Sequence, residues 1–231
     1  ENFQANGALK DYVTTFTATP NSNGTGDNNK DNGIDDANPA SNGIKSKVVN
    51  LAVGSEPTDD GNGNNSNFTV DFGFVVYDWG DLPQPIYPTT IISDGARHVI
   101  VPGLTIGATV DREPDGQPST NADGDGADED GVTFPWVVSG TPRFIAGVTT
   151  PITVAVVNTA SVQTAVLYGF IDWNGDGRFT GPGETVTKSV TGSQTTTINF
   201  TPPLSATTGS PLGARFRLST DGNLTALGPA K

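Results

Sequence analysis

Cysteine is absent from the 231 residues, so no disulfide framework braces the fold and no thiolate is available for catalysis or metal binding. A single histidine, His98, leaves zinc without a ligand set and gives an acid–base dyad no partner. Its place before Val99-Ile100-Val101 reads as a packed or hydrogen-bonding residue. Basic residues are scarce: 12 Lys and Arg stand against 25 Asp and Glu, a formal net charge of −13. Such a chain repels phosphate backbones and anionic lipid, so nucleic acid and membrane surfaces are not expected partners. No apolar run approaches the roughly 18 residues of a membrane span, and no signal peptide is present. The expectation is therefore a mature or excised soluble piece. Helical periodicity is missing as well, because 29 Gly and 17 Pro interrupt every long stretch.

Strand signals fill that gap. Residues 67–76 alternate for ten positions, with Phe68, Val70, Phe72, Phe74 and Val76 on one face. Ile152, Val154 and Val156 repeat the pattern, as do Val166, Tyr168 and Phe170, then Ile198 and Phe200. In the last run Ala214, Phe216 and Leu218 face inward and Arg215 and Arg217 are expected to point to water. Further strands are expected near Tyr12–Thr17 and Val48–Val53. The fold class is all-β: antiparallel, Ig-like β-sandwich modules in tandem, joined and decorated by long Asp/Asn/Gly-rich loops. A first module spans 1–76. A second spans 77–231, with a long acidic segment at 77–135, ordered by ions, and the sandwich itself at 136–231.

The acids are clustered rather than spread. Asp172, Asn174 and Asp176 supply side-chain oxygens at positions 1, 3 and 5 of a loop. Gly177 follows at position 6, Arg178 at position 7 and Glu184 at position 13. Calcium takes six to eight hard oxygen ligands around a sharply turned backbone, and this spacing suits it. Residues 167–171 before the loop read as a strand and no helix follows, so the loop joins two strands and is not an EF-hand. Asn-Gly and Asp-Gly are also common hairpin turns that need no metal. A second cluster packs Asp123, Asp125, Asp128, Glu129 and Asp130 into eight residues, with Asp111 upstream. Carboxylates that close repel unless solvated or bridged by cations. A third set, Asp27, Asn29, Asp31 and Asp35, has ligand spacing with Gly33 one place late and Lys30 in the field. Asp59, Asp60, Asn62 and Asn64 read as a solvated hairpin loop. Ca²⁺ is the one cofactor these residues imply.

Two families share these motifs. Asp31-Asn32-Gly33-Ile34-Asp35, Asn38-Pro39-Ala40, Gly43-Ile44-Lys45-Ser46 and Val70-Asp71-Phe72-Gly73-Phe74 resemble the C-terminal half of an SdrD B-like domain. The next part resembles a GEVED domain through Asp78-Trp79-Gly80-Asp81, Gly95-Ala96-Arg97-His98, Asp115-Gly116-Gln117-Pro118, the run from Asp128 to Val132, and the Asp172–Glu184 loop. The resemblance implies calcium-binding and structural or adhesive modules of large bacterial surface proteins, located extracellularly or on the cell surface, and no catalysis. The N-terminal strands of the first family and the acidic final strand of the second are not in this sequence. The chain is then either an excerpt of a repetitive protein or a subunit completed by β-strand addition from another copy. Expected partners are copies of itself or neighbouring repeats. A polysaccharide or surface ligand is the other, through Trp79, Trp136 and Trp173 if these are exposed.

Overall fold

The computed structural model describes residues 7–10, 12–14, 34, 36, 38–46, 48–49, 51–56, 58, 63–65, 72–126, 131–138, 141–159 and 164–230. They fall into two compact units, residues 1–77 with 113–115, and residues 78–112 with 116–231. The fold is all-β, built of several small, mainly antiparallel sheets.

In the first unit, β1 (Val13–Thr14) pairs antiparallel with β2 (Phe74–Val75). Asn38-Pro39-Ala40 forms the start of one helical turn, α1 (Pro39–Asn42), although the composition promised none. Asn38 caps it by accepting from Ser41 N, and Pro39 occupies the first turn, where its missing N–H costs nothing. Asp36 accepts from Asn42 Nδ2 and Asn38 N, which hold its carboxyl below the usual carboxylate range. Val48, Leu51 and Val53 do not form the expected strand. They are exposed in a segment that finds no partner strand among the described residues. Asn64 lies in a turn, its Nδ2 donating to Gly54 O and its main-chain carbonyl accepting from Glu56 N.

The second unit holds β3 (Tyr77–Trp79, which begins at the last residue of the first), β4 (Arg97–Val99), β5 (Leu104–Ile106) and β6 (Val132–Thr133). A short hairpin follows, β7 (Val137–Val138) with β8 (Thr141–Pro142). The long strands are β9 (Thr150–Asn158), β10 (Ala165–Ile171), β11 (Thr185–Val190), β12 (Gln194–Phe200) and β13 (Ala214–Ser219), before a closing β14 (Pro229–Ala230). One sheet runs β12-β9-β5, with β6 also on β9; the other runs β11-β10-β13. Alternation places Ile152, Val154, Val156, Ile198 and Phe200 inward from the first sheet. Ala165, Leu167, Ile171, Val190 and Leu218 meet them from the second. Gly169 faces the same core. A Cβ there would stand 2.8 Å from the Phe200 ring, so the close approach of the sheets requires glycine.

The second sheet is covered on its other face too. Val166, Tyr168 and Phe170 pack against Leu82, Tyr87 and Phe179, not into the sandwich core. This third layer contains the small sheet β14-β4-β3, with β14 parallel to β4. It changes the reading of β13. Arg215 and Arg217 are buried, 7% and 2% exposed, because their face of the strand is roofed by residues from 78–98 and 220–228. Arg217 places all five N–H donors: Nε on His98 Nε2 at 2.8 Å, Nη1 on the carbonyls of Thr225 and Leu227, and Nη2 on those of Arg97 and Gly228. Every acceptor is neutral. Burial, then the charges of Arg215 and Arg97, push its pKa down to about 9, so it stays charged at neutral pH. Arg215 donates to the carbonyls of Ala226 and Pro88, and burial lowers it to about 10. Arg97 lies 5.0 Å over the Trp79 ring. The segments that open this unit are thus ordered by a guanidinium-clamped layer.

Candidate metal centre

β10 ends at Ile171, whose N–H donates to Glu184 O, and the Asp172–Glu184 loop closes on that bond. Asp172 and Glu184 are buried, 0% and 1% exposed, and among the described residues no Lys or Arg pairs with either. An ionised carboxylate taken out of water must be compensated. Here the backbone does it. Asp172 Oδ1 accepts from Gly175 N at 2.7 Å and Asp176 N at 3.2 Å, and its Oδ2 accepts from Gly177 N at 2.9 Å. Glu184 Oε2 accepts from Gly181 N at 2.6 Å, and Oε1 from Asn174 N at 3.3 Å. Asn174 and Asp176 each accept from the N–H two residues on. Glycine at 177 is imposed twice, by a φ of 80° and by Ile86 O, 2.5 Å from where a Cβ would sit.

Two anchors come from elsewhere. Tyr87 Oη donates to Asp172 Oδ2 at 2.9 Å and accepts from Gly213 N at 2.8 Å. Burial, then Asp172 as acceptor and as charge, pushes the Tyr87 hydroxyl up to about 12. Trp173 is buried on Phe144 and Phe200, and its indole N–H donates to Gly183 O. Spacing found Trp173; Tyr87, 85 residues from Asp172, left no signal in the sequence.

The donor types suit a hard cation: carboxylates at 172, 176 and 184, an amide oxygen at 174, and the backbone of Arg178, whose side chain is exposed. In this conformation the carboxylate oxygens are turned onto N–H groups, with two acceptances on each oxygen of Asp172. Among the described residues no three Asp, Glu or His side chains converge on one point. The loop is therefore closed by its own hydrogen bonds in this conformation.

Of the second cluster, Asp123 and Asp125 meet a residue the spacing did not offer, Asp81. Asp81 Oδ2 accepts from Gly124 N at 3.0 Å, and the Asp125 side chain hydrogen-bonds to the Asp81 carboxyl. Ser119 Oγ donates to Asp123 Oδ1 at 2.7 Å. Burial raises the Asp81 pKa, and the Asp123 charge adds to it. Asp111 is exposed and shares no hydrogen bond with this group. Asp128 and Asp130 lie outside the described residues, as do Asp27, Asn29, Asp31 and Asp35. Trp79 is buried like Trp173 while Trp136 is 42% exposed, so the three tryptophans form no common platform. His98 Nε2 is occupied by Arg217, and burial holds its pKa well below the usual histidine range. No helix among the described residues is long and apolar enough to cross a membrane.

The GEVED domain model matches residues 166–231, a stretch that holds the whole loop, the Arg215 and Arg217 clamps and β14. The match reaches neither residues 31–74, expected to be SdrD B-like, nor the motifs at 78–132 expected to belong to a GEVED domain. No curated protein and no solved structure matches the chain.

Proposed function

We propose that the chain is a non-catalytic, calcium-stabilised structural module of a bacterial extracellular fibre or cell-surface adhesin, and that it assembles with copies of itself or neighbouring repeats. The observation that carries this reading is the pair of buried carboxylates, Asp172 and Glu184, in one loop, with no Lys or Arg side chain paired to either among the described residues. Bound Ca²⁺ would add a positive charge where backbone N–H groups now compensate the carboxylates, held by Asp172, Asn174, Asp176, Glu184 and the Arg178 carbonyl. The chain's own contribution is preorganisation: Tyr87 and Trp173 fix the loop ends, and the glycines let the backbone turn. Asp81 with Asp123 and Asp125 is a second candidate, in which a cation would replace a proton. The GEVED match supports placing the protein among multidomain extracellular proteins; the SdrD B-like motifs within residues 31–74 would belong to its first module.

A non-catalytic role is supported by His98, whose basic nitrogen is spent on Arg217. β-strand addition between subunits is one assembly route for an all-β module. It has no help from β12, which among the described residues has β9 on one side only and whose Thr197 carbonyl is covered by Lys188 Nζ at 2.8 Å. The second functional reading is a polysaccharide- or host-ligand-binding module, and exposed Trp136 favours it. Thermal unfolding with 10 mM CaCl₂ and with chelator tests the calcium reading. For a site with a dissociation constant near 0.1 mM, mass action gives about 2.7 kcal/mol, or a rise of about 5–10 °C in a chain of this size. Coincident melts would refute it.

A further inference from the structure

An apolar patch lies on residues 136–148 and 204, in segments that border the carboxylate loop: Phe144 packs on Trp173, and Thr207 donates to Trp173 O and Asn174 O. Trp136 and the β7–β8 hairpin expose Trp136, Val137 and Val138, with Arg143 N bonded to Trp136 O. Ile145 and Val148 follow in the same turn, Val148 N donating to Ile145 O. Leu204 joins them across Gly147, whose N–H donates to Pro202 O and whose Cβ position lies 3.1 Å from Leu204 Cδ2. Leu204 is 86% exposed and Ile145 59%. Val137 and Val138 lie on opposite faces of the hairpin, so one face presents on the order of 500 Å², within what a monomer ordinarily leaves uncovered. That is about 60% of the ~800 Å² each partner gives to a standard interface.

The charge map says what fits there. All 25 acids lie outside residues 131–171 and 185–220. These two stretches contain the hairpin, β9, β12 and the 201–212 connection, and the patch carries one formal charge, the exposed Arg143. Two chains of net charge −13 repel over most of their surfaces, and least through segments that carry no acid. The patch is also largely aliphatic, with few hydrogen-bonding groups for a sugar.

We infer that this patch is a self-association surface on which a second copy of the chain packs with the same patch, an isologous contact through Trp136, Val138, Ile145 and Leu204. The inference rests on the assembly part of the proposed function. Sedimentation velocity of the whole chain, from about 5 to 200 µM, tests it. The expected result is concentration-dependent dimerisation that strengthens from 50 to 500 mM NaCl, as screening of like charge requires. A Val138→Glu/Leu204→Glu variant should dimerise at least tenfold more weakly while keeping the wild-type circular dichroism. A Thr187→Glu/Ser189→Glu control, adding the same charge at exposed positions of β11, should dimerise like the wild type at 500 mM NaCl. Wild-type dimers that survive both patch substitutions, or weaken equally in the control, overturn the patch and leave assembly standing. A wild-type chain that stays monomeric overturns both. A monomer that binds neutral polysaccharide and loses it in Trp136→Ala assigns the patch to sugar instead.

Discussion

Tyr87→Phe removes one oxygen and should destabilise the second unit by about 3 kcal/mol. The phenol donates to a buried carboxylate and accepts from a buried N–H, Gly213. A hydrogen bond to a charged group contributes about 1.5–3 kcal/mol, and an orphaned buried N–H costs about 1–3 kcal/mol. Phenylalanine keeps the ring stacked on Phe179, with centroids 5.6 Å apart, so packing is nearly unchanged and the loss reports the hydroxyl. Urea unfolding at pH 7 measures it. A pH series adds a second signature. The hydroxyl is held up near 12 from an ordinary 10, so folding holds this proton more tightly than the unfolded chain does. Stability from this source is fully present below pH 10 and is lost as the pH rises through 12, a span of about 2–3 kcal/mol. The variant should lack that alkaline loss. A Tyr87→Phe protein within 0.5 kcal/mol of wild type, with the same alkaline slope, would refute the anchoring role.

Arg217→Lys should cost about 3 kcal/mol or more in the same unfolding assay, because an ammonium cannot reach the five acceptors of the guanidinium fork; a loss under 1 kcal/mol would mean the clamp is not structural. Gly169→Ala should cost about 1–3 kcal/mol through contact with the Phe200 ring, and a neutral result would show that the sheets can move apart. Asp81→Asn should be at least as stable as wild type in chelator at pH 7. The raised Asp81 pKa makes its contribution favourable at acid pH and lost as pH rises through the folded value, so the variant's advantage should vanish in acid. An Asp81→Asn chain clearly less stable at pH 7 in chelator would show that the carboxylate is needed without any cation.

What could be read from the sequence was what is local. The alternation of Ile152, Val154 and Val156 is a two-residue period, and it gives a strand with those residues in the core. The 172–184 loop was readable because its oxygens and glycines are fixed by spacing along one turn. The third layer was not. Alternation marks two faces of a strand but does not say whether the second meets water or protein, so Arg215 and Arg217 read as solvent-facing. Their partners lie 8–11 residues ahead or about 120 behind. Asp81 was passed over for the same reason, since it reaches Gly124 from 43 residues away. Val48–Val53 shows the converse error, a β-branched run without a partner strand among the described residues.

Calorimetric titration of CaCl₂ into wild type and Glu184→Gln at pH 7 tests the central claim most directly. The account predicts a saturable binding heat in the wild type that Glu184→Gln abolishes or weakens at least tenfold. Titrations without heat in the wild type, or unchanged in the variant, would contradict it and leave a loop closed by hydrogen bonds alone.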